Sequence, residues 1–161
     1  MEPIWLKGAR KYLGTREVKG KKHNPHILRW LALIQAAWKN DEEPWCSTFV
    51  CGVFEELGIR SARTAWARGN LKWGSPLSGP AVGCVVVFER GPKSGHVGFL
   101  VGIDRAGRLM ILGGNQGDMV SIKPFPKSRV LGYRWPSGHD LPVDGTLPVV
   151  ASNGKLSTNE A

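Results

Sequence analysis

No apolar run in this chain exceeds five residues (84–88), and a membrane-spanning helix needs about 20. The opening Met1-Glu2-Pro3-Ile4-Trp5-Leu6-Lys7-Gly8 lacks a seven-residue apolar stretch and carries an early acid, so it does not read as a secretory signal. Synthesis in a cytoplasm is expected, with another agent carrying the protein outward if it acts outside. Cysteine is scarce: Cys46, Cys51 and Cys84, an odd number with no C-x-x-C spacing. A complete set of intramolecular disulfides and a standard zinc site are both excluded, and folding in a reducing compartment is expected. Acids are few. The 13 Asp and Glu face 22 Lys and Arg, for a net +9. Residues 137–161 hold one Lys and three acids, so residues 1–136 carry 21 cations against 10 acids, or +11. A body that basic expects an anionic partner: nucleic acid, an acidic membrane face, or an anionic polymer such as a cell wall.

What is present is enough for one domain. The chain has 161 residues, 42% of them hydrophobic and 22% charged, which excludes wholesale disorder. Apolar spacing predicts a helix over 4–13, ended by Gly14, and a second from Asn24-Pro25 to about residue 39. Asn as N-cap and Pro at the first helical position make that second start a strong one. A third helix spans 46–57 before Gly58. A short helical piece at 64–69 leads into a Gly/Pro/Ser loop over 74–83. Five strand-like stretches follow, at 84–89, 96–103, 108–112, 119–123 and 130–135, separated by turn residues. Helices first and an antiparallel meander second indicate an α+β domain over residues 1–136. Residues 137–161 read as a loosely ordered polar tail.

Two residues stand out chemically. Cys46 opens the third helix, and at 100° per residue Phe49, Val50, Val53, Phe54 and Leu57 cluster around its direction, while Cys51 falls off that stripe. A thiol at a helix start has its thiolate stabilised by free backbone N–H groups and the dipole, as a nucleophile requires; a small buried core residue is the other reading. His96 opens a strand and shares a face with Gly98, Leu100 and Gly102. The glycines leave room for close approach, for which the Cys46 helix is the natural candidate, and imidazole is suited to taking a thiol proton near neutrality. Asn115, in Gly113-Gly114-Asn115-Gln116-Gly117, could orient that imidazole or simply form a turn. Gln116 could present its amide to substrate, and Trp45 could wall the cleft or sit in the core. Glu17 lies in the basic stretch Arg16-Glu17-Val18-Lys19-Gly20-Lys21-Lys22-His23, where a lone carboxylate could hold an amine. His23, His26 and His139 read as solvated or capping residues. A zinc site from His23, His26 and Cys46 lacks any standard ligand spacing.

Taken together, Asp41-Glu42-x-Pro44-Trp45-Cys46-Ser47-x-Phe49-Val50, Gly95-His96-Val97-Gly98 and Gly113-Gly114-Asn115-Gln116 resemble the CHAP and NlpC/P60 group of papain-like peptidoglycan hydrolases. The closest likeness is to a CHAP-like subfamily of phage endolysins and bacterial genomes. Gly14-Thr15-Arg16-Glu17-Val18-Lys19-Gly20, Asn24-Pro25 and Gly132-Tyr133-Arg134-x-Pro136 extend it over about residues 4–136. The resemblance implies a papain-like fold, with Cys46 as nucleophile, His96 as base and Asn115 as orienting residue. It further implies cleavage of a murein amide, either the N-acetylmuramoyl-L-alanine bond or a peptide bond, in the manner of an endolysin that lyses a host. An injected effector or a prophage-encoded enzyme of the same fold is the alternative within this class. Many CHAP domains carry a Glu where this chain has Gly113. Calcium sites of some CHAP domains use an acidic loop before the cysteine, but Asp41, Glu42 and Glu43 are too tightly spaced, so neither metal nor cofactor is expected. A monomer acting on peptidoglycan, with an anionic membrane surface as a further partner, is the expected state. A nucleic-acid-binding module fits less well, because the tryptophans fall mostly in helical cores and no such motif occurs.

Overall fold

The computed structural model describes residues 2–18, 24–35, 45–143 and 145–151. Three α-helices come first: α1 (Ile4–Arg10), α2 (Pro25–Leu33) and α3 (Cys46–Glu56). A 3₁₀ helix over Ala67–Lys72 leads to six strands: β1 (Ser75–Leu77), β2 (Val85–Glu89), β3 (Gly95–Ile103), β4 (Leu109–Gly113), β5 (Ser121–Phe125) and β6 (Val130–Trp135). They form one sheet in the order β1-β6-β2-β3-β4-β5, antiparallel throughout. The α+β class and all five expected strands hold, with ends shifted by a residue or two.

Local chemistry explains the helix starts. Asn24 caps α2 by accepting the His26 backbone N–H at 2.9 Å, while Pro25 occupies the first helical position. The stretch of this helix expected beyond residue 35, the acidic loop at 41–44 and most of the basic loop at 19–23 lie outside the described residues. Helix α3 is buried from Cys46 to Phe54 because it is enclosed on two sides. Phe49 and Phe54 meet Phe99 of β3 edge-on, at 6.1 and 5.5 Å, and Gly52 admits the Trp30 ring of α2 against the helix backbone.

That packing corrects one expectation. Helix α3 lies on the Phe99 side of β3, not on the face that His96 shares with Gly98 and Gly102. Gly98 instead receives the side chain of Ile111 from β4, and Gly102 the carbonyl of Pro148. His96 meets α3 nonetheless, because both partners lie at element ends, beyond the reach of the strand-face rule.

Two further differences concern segments rich in Pro and Gly. Residues 75–77, expected in a loop, form β1 by pairing with β6, and Pro76 is tolerated because β1 is an edge strand. Residues 137–143 and 145–151 make specific contacts where a loosely ordered tail was expected. Trp135 Nε1 donates to the Asp140 carbonyl at 2.9 Å. The His139 ring stands edge-on to Trp5 at 5.5 Å. Ile103 of β3 exchanges backbone hydrogen bonds with Pro148 and Val150, at 2.9 and 2.7 Å. These contacts run through backbone groups and isolated apolar residues, Leu147 and Val150, which leave no alternation for a pattern to reveal.

Candidate active site

Cys46 is the first residue of α3. The preceding Trp45 offers no side-chain cap, and the N–H groups of a first helical turn favour an anion. The helix start is fastened from the far side. Ser47 Oγ donates to the Thr64 carbonyl at 2.6 Å, and Asn70 Nδ2 donates to Ser47 Oγ at 2.8 Å and to the Ala67 carbonyl at 3.0 Å. This buried polar knot joins α3 to the 3₁₀ helix and leaves Cys46 on the opposite flank.

His96 is the second residue of β3, opposite Phe88 on β2, and is fully buried. Its ring lies flat on Phe125 of β5, 10° from parallel with centroids 5.0 Å apart, and Phe125 stacks in turn on Phe88. The His96 imidazole lies close enough to the Cys46 thiol to act on it. Burial alone would push that thiol up. The His96 contact, its charge, and the backbone N–H groups of Val97 and Ser47 outweigh burial and leave Cys46 below the ordinary thiol value. The other two thiols go the opposite way: burial raises Cys51, and pushes Cys84 up to about 12.

The hydrogen bond at the His96 ring is made by the neighbour of the expected residue. The side chain 2.9 Å from Nε2 is that of Gln116, through its Oε1, and not that of Asn115. Gln116 is fully buried and its amide is engaged on both sides, with Nε2 donating to the carbonyls of Ile111 and Ser121 at 3.1 and 2.9 Å. Both ends of its amide are thus engaged within the fold. Asn115 is buried at the turn between β4 and β5 with φ at 60°, a left-handed conformation that Asn tolerates better than most residues. The two preceding glycines matter by what they leave out. A side chain at Gly113 would overlap Gln116 Oε1, and a Cβ at Gly114 would lie 2.7 Å from Phe49 Cβ and 2.8 Å from the Trp45 ring.

Trp45 takes the core placement. It is 1% exposed, packs near-parallel to Trp30 at 6.4 Å, and donates its indole N–H to Glu17 Oε1 at 3.3 Å. Glu17 is half-buried, and its backbone N–H donates to the Asp118 carbonyl at 3.1 Å. The segment around Glu17 thus runs beside the turn carrying Asn115 and Gln116. His26 and His139 are exposed and lie against aromatic rings, whereas His23 lies outside the described residues. Among the described residues, no group of His, Cys, Asp and Glu is placed to hold a metal ion.

Sequence reasoning missed Asn70, Phe125 and Gln116's contact with the ring. Asn70 and Phe125 carry no motif. Gln116 was one residue from the expected position, and the vacancy at Gly113 was the signal that another side chain fills that space.

The arrangement is a lowered thiol at a helix start, an imidazole beside it, and an amide behind the imidazole, a combination suited to acyl transfer through a thiolate. No curated protein matches the chain. The family model of the CHAP domain matches residues 38–115, the span that holds Cys46, His96 and Asn115. Over that span the chain is similar to CHAP domains, which are in general hydrolases that act on peptidoglycan.

Proposed function

We propose that the protein is a cysteine amidohydrolase of bacterial murein, cutting either the N-acetylmuramoyl-L-alanine amide or a peptide bond of the stem. The observation that carries this reading is the pairing of His96 with a lowered Cys46 thiol within the matched span. In this reading the Cys46 thiolate attacks the amide carbonyl carbon. The tetrahedral oxygen is held by backbone N–H groups at the start of α3, that of Cys46 among them; losing one such donor typically costs about 10²–10³-fold in rate. His96 passes its proton to the leaving amine, then takes one from the water that releases the acyl group. Glu17, beside the Asn115 turn, suits a wall-peptide ammonium group, and the +11 of residues 1–136 suits an anionic polymer.

A phage-lysis role fits a small basic enzyme made in a host cytoplasm and admitted to the wall on release. Purified murein tests the proposal. The parent protein should clear a murein suspension and the Cys46→Ala variant should not. Mass spectrometry of the products separates muramoyl–alanine cleavage from peptide cleavage. Equal clearing by Cys46→Ala would overturn the reading.

A further inference from the structure

The buried side of His96 is more fully specified than its role as a base requires. Gln116 Nε2 lies between two carbonyl oxygens, those of Ile111 and Ser121, and close to the Ser121 hydroxyl. Carbonyls only accept, so this end of the amide must be its NH₂. The oxygen is thereby fixed toward the imidazole, 2.9 Å from Nε2. An amide oxygen also only accepts, so His96 must carry its proton on Nε2 when neutral. That leaves Nδ1 with the lone pair, as the nitrogen for the Cys46 proton. The backbone carbonyls of β4 and β5 thus set the imidazole tautomer through one side chain.

The surroundings support that relay. Asn115, at φ 60°, provides the left-handed turn from which Gln116 reaches back under the sheet end. Ser121 Oγ donates to the Gln116 carbonyl at 2.9 Å, and the Gln116 backbone N–H donates to the Met119 carbonyl at 2.9 Å, so the residue is held at main chain and side chain alike. Gly113 is the matching vacancy. A Cβ there would overlap the amide oxygen and come within 3.4 Å of His96 Nε2. The family match ends at Asn115, one residue short of this side chain.

We propose that Gln116 is the positioning residue for His96, fixing the Nε2–H tautomer and the ring orientation in the place expected of Asn115. The proposal rests on Cys46 and His96 being the reacting pair. When neutral imidazole can choose either tautomer, only the one with a free Nδ1 can take the thiol proton, so loss of the amide should slow catalysis. Removing the partner that orients a metal-bound histidine typically costs about 10–100-fold, and a loss of that order is expected here.

The test compares Gln116→Met, which keeps the length and removes the amide, with Asn115→Gly, which keeps the left-handed backbone and removes the side chain. Murein clearing should fall about 10–100-fold in Gln116→Met and stay within about threefold in Asn115→Gly. ¹⁵N NMR of the His96 ring gives the readout that a structural role alone would not move. In a Cys46→Ala background, above the ordinary histidine titration range, the parent ring should be Nε2–H. Asn115→Gly should keep that tautomer, and Gln116→Met should yield a mixture or the Nδ1–H form. A lost tautomer in Asn115→Gly, or an unchanged one in a folded Gln116→Met, would overturn the proposal. If Gln116→Met does not fold, the Asn115→Gly spectrum still decides. Were Cys46→Ala and His96→Ala to keep full clearing, the murein reading would fail while the tautomer result stood apart from it.

Discussion

Helix α3 carries two thiols one and a half turns apart, Cys46 and Cys51, both buried, and they behave in opposite ways. Cys51 sits in the polar knot, 3.7 Å from the Thr64 carbonyl, 3.8 Å from Asn70 Oδ1 and 3.8 Å from the Ser47 hydroxyl. Burial raises it, and the neutral groups around it, the Thr64 and Arg63 backbone and the Ser47 and Ser61 side chains, lower it by less. Cys46 is also buried but faces an imidazole as well as the Val97 and Ser47 backbone, and it is lowered. The two thiols are thus distinguished by the imidazole beside Cys46, not by exposure.

Removing each thiol should break the comparison most visibly. Cys46→Ala should reduce murein clearing by about 10³-fold or more, as loss of a nucleophile does in other hydrolases. Cys51→Ala should keep activity within a few-fold. Rates of turbidity loss on the same murein preparation measure both, and comparable losses would make the two thiols equivalent.

Next in size is the knot itself. Asn70→Ala strips the Ser47 hydroxyl of a donor and leaves a hole beside Cys51, so it should destabilise by about 1–3 kcal/mol. Thermal unfolding reads this loss. The pH dependence of Cys46 alkylation should not move, since the knot lies on the other flank of α3. A parallel shift in alkylation would show that the two clusters act as one.

The last effect is confined to the alkaline range, with a sign that follows from the raised thiols. Cys84 ionises at about 12 when folded but near 8.5 in an unfolded chain. Its contribution is therefore fully present below about pH 8.5 and is lost as pH rises toward 12. Cys51 acts in the same direction, and Cys46 in the opposite one. The thermal midpoint should decline above pH 9, and less steeply in Cys84→Ala. The Tyr12 and Tyr133 hydroxyls are raised as well, and since the Cys84 charge contributes to the Tyr133 shift, the difference between the two curves reads Cys84 together with Tyr133.

Much of this was legible in the sequence, for reasons that also mark where legibility ends. The helix starts at Asn24-Pro25 and Cys46 and the five longer strands rest on local signals, namely caps, apolar spacing and turn residues. Pairing of Cys46 with His96 followed from two element ends and a family resemblance. What failed depended on contacts between segments distant in sequence. The side of β3 that takes α3 is decided by Phe99 packing against Phe49 and Phe54. Strand β1 exists only because β6 pairs with it. The contacts of residues 145–150 are made through the backbone at Ile103. Gln116 rather than Asn115 reaches the imidazole because the left-handed turn at Asn115 and the vacancy at Gly113 redirect the chain by one residue, a matter of backbone path that composition does not record.

The central claim is that His96 holds the Cys46 thiol down. Alkylation by iodoacetamide, followed at each cysteine by mass spectrometry across pH 4–10, tests it most directly. Cys46 should react well below pH 8.5 in the parent, Cys51 and Cys84 should stay unlabelled in the folded protein, and His96→Ala should move the Cys46 midpoint upward past the ordinary thiol value. A Cys46 midpoint at or above 8.5 in the parent, or one unmoved by His96→Ala, would contradict the account.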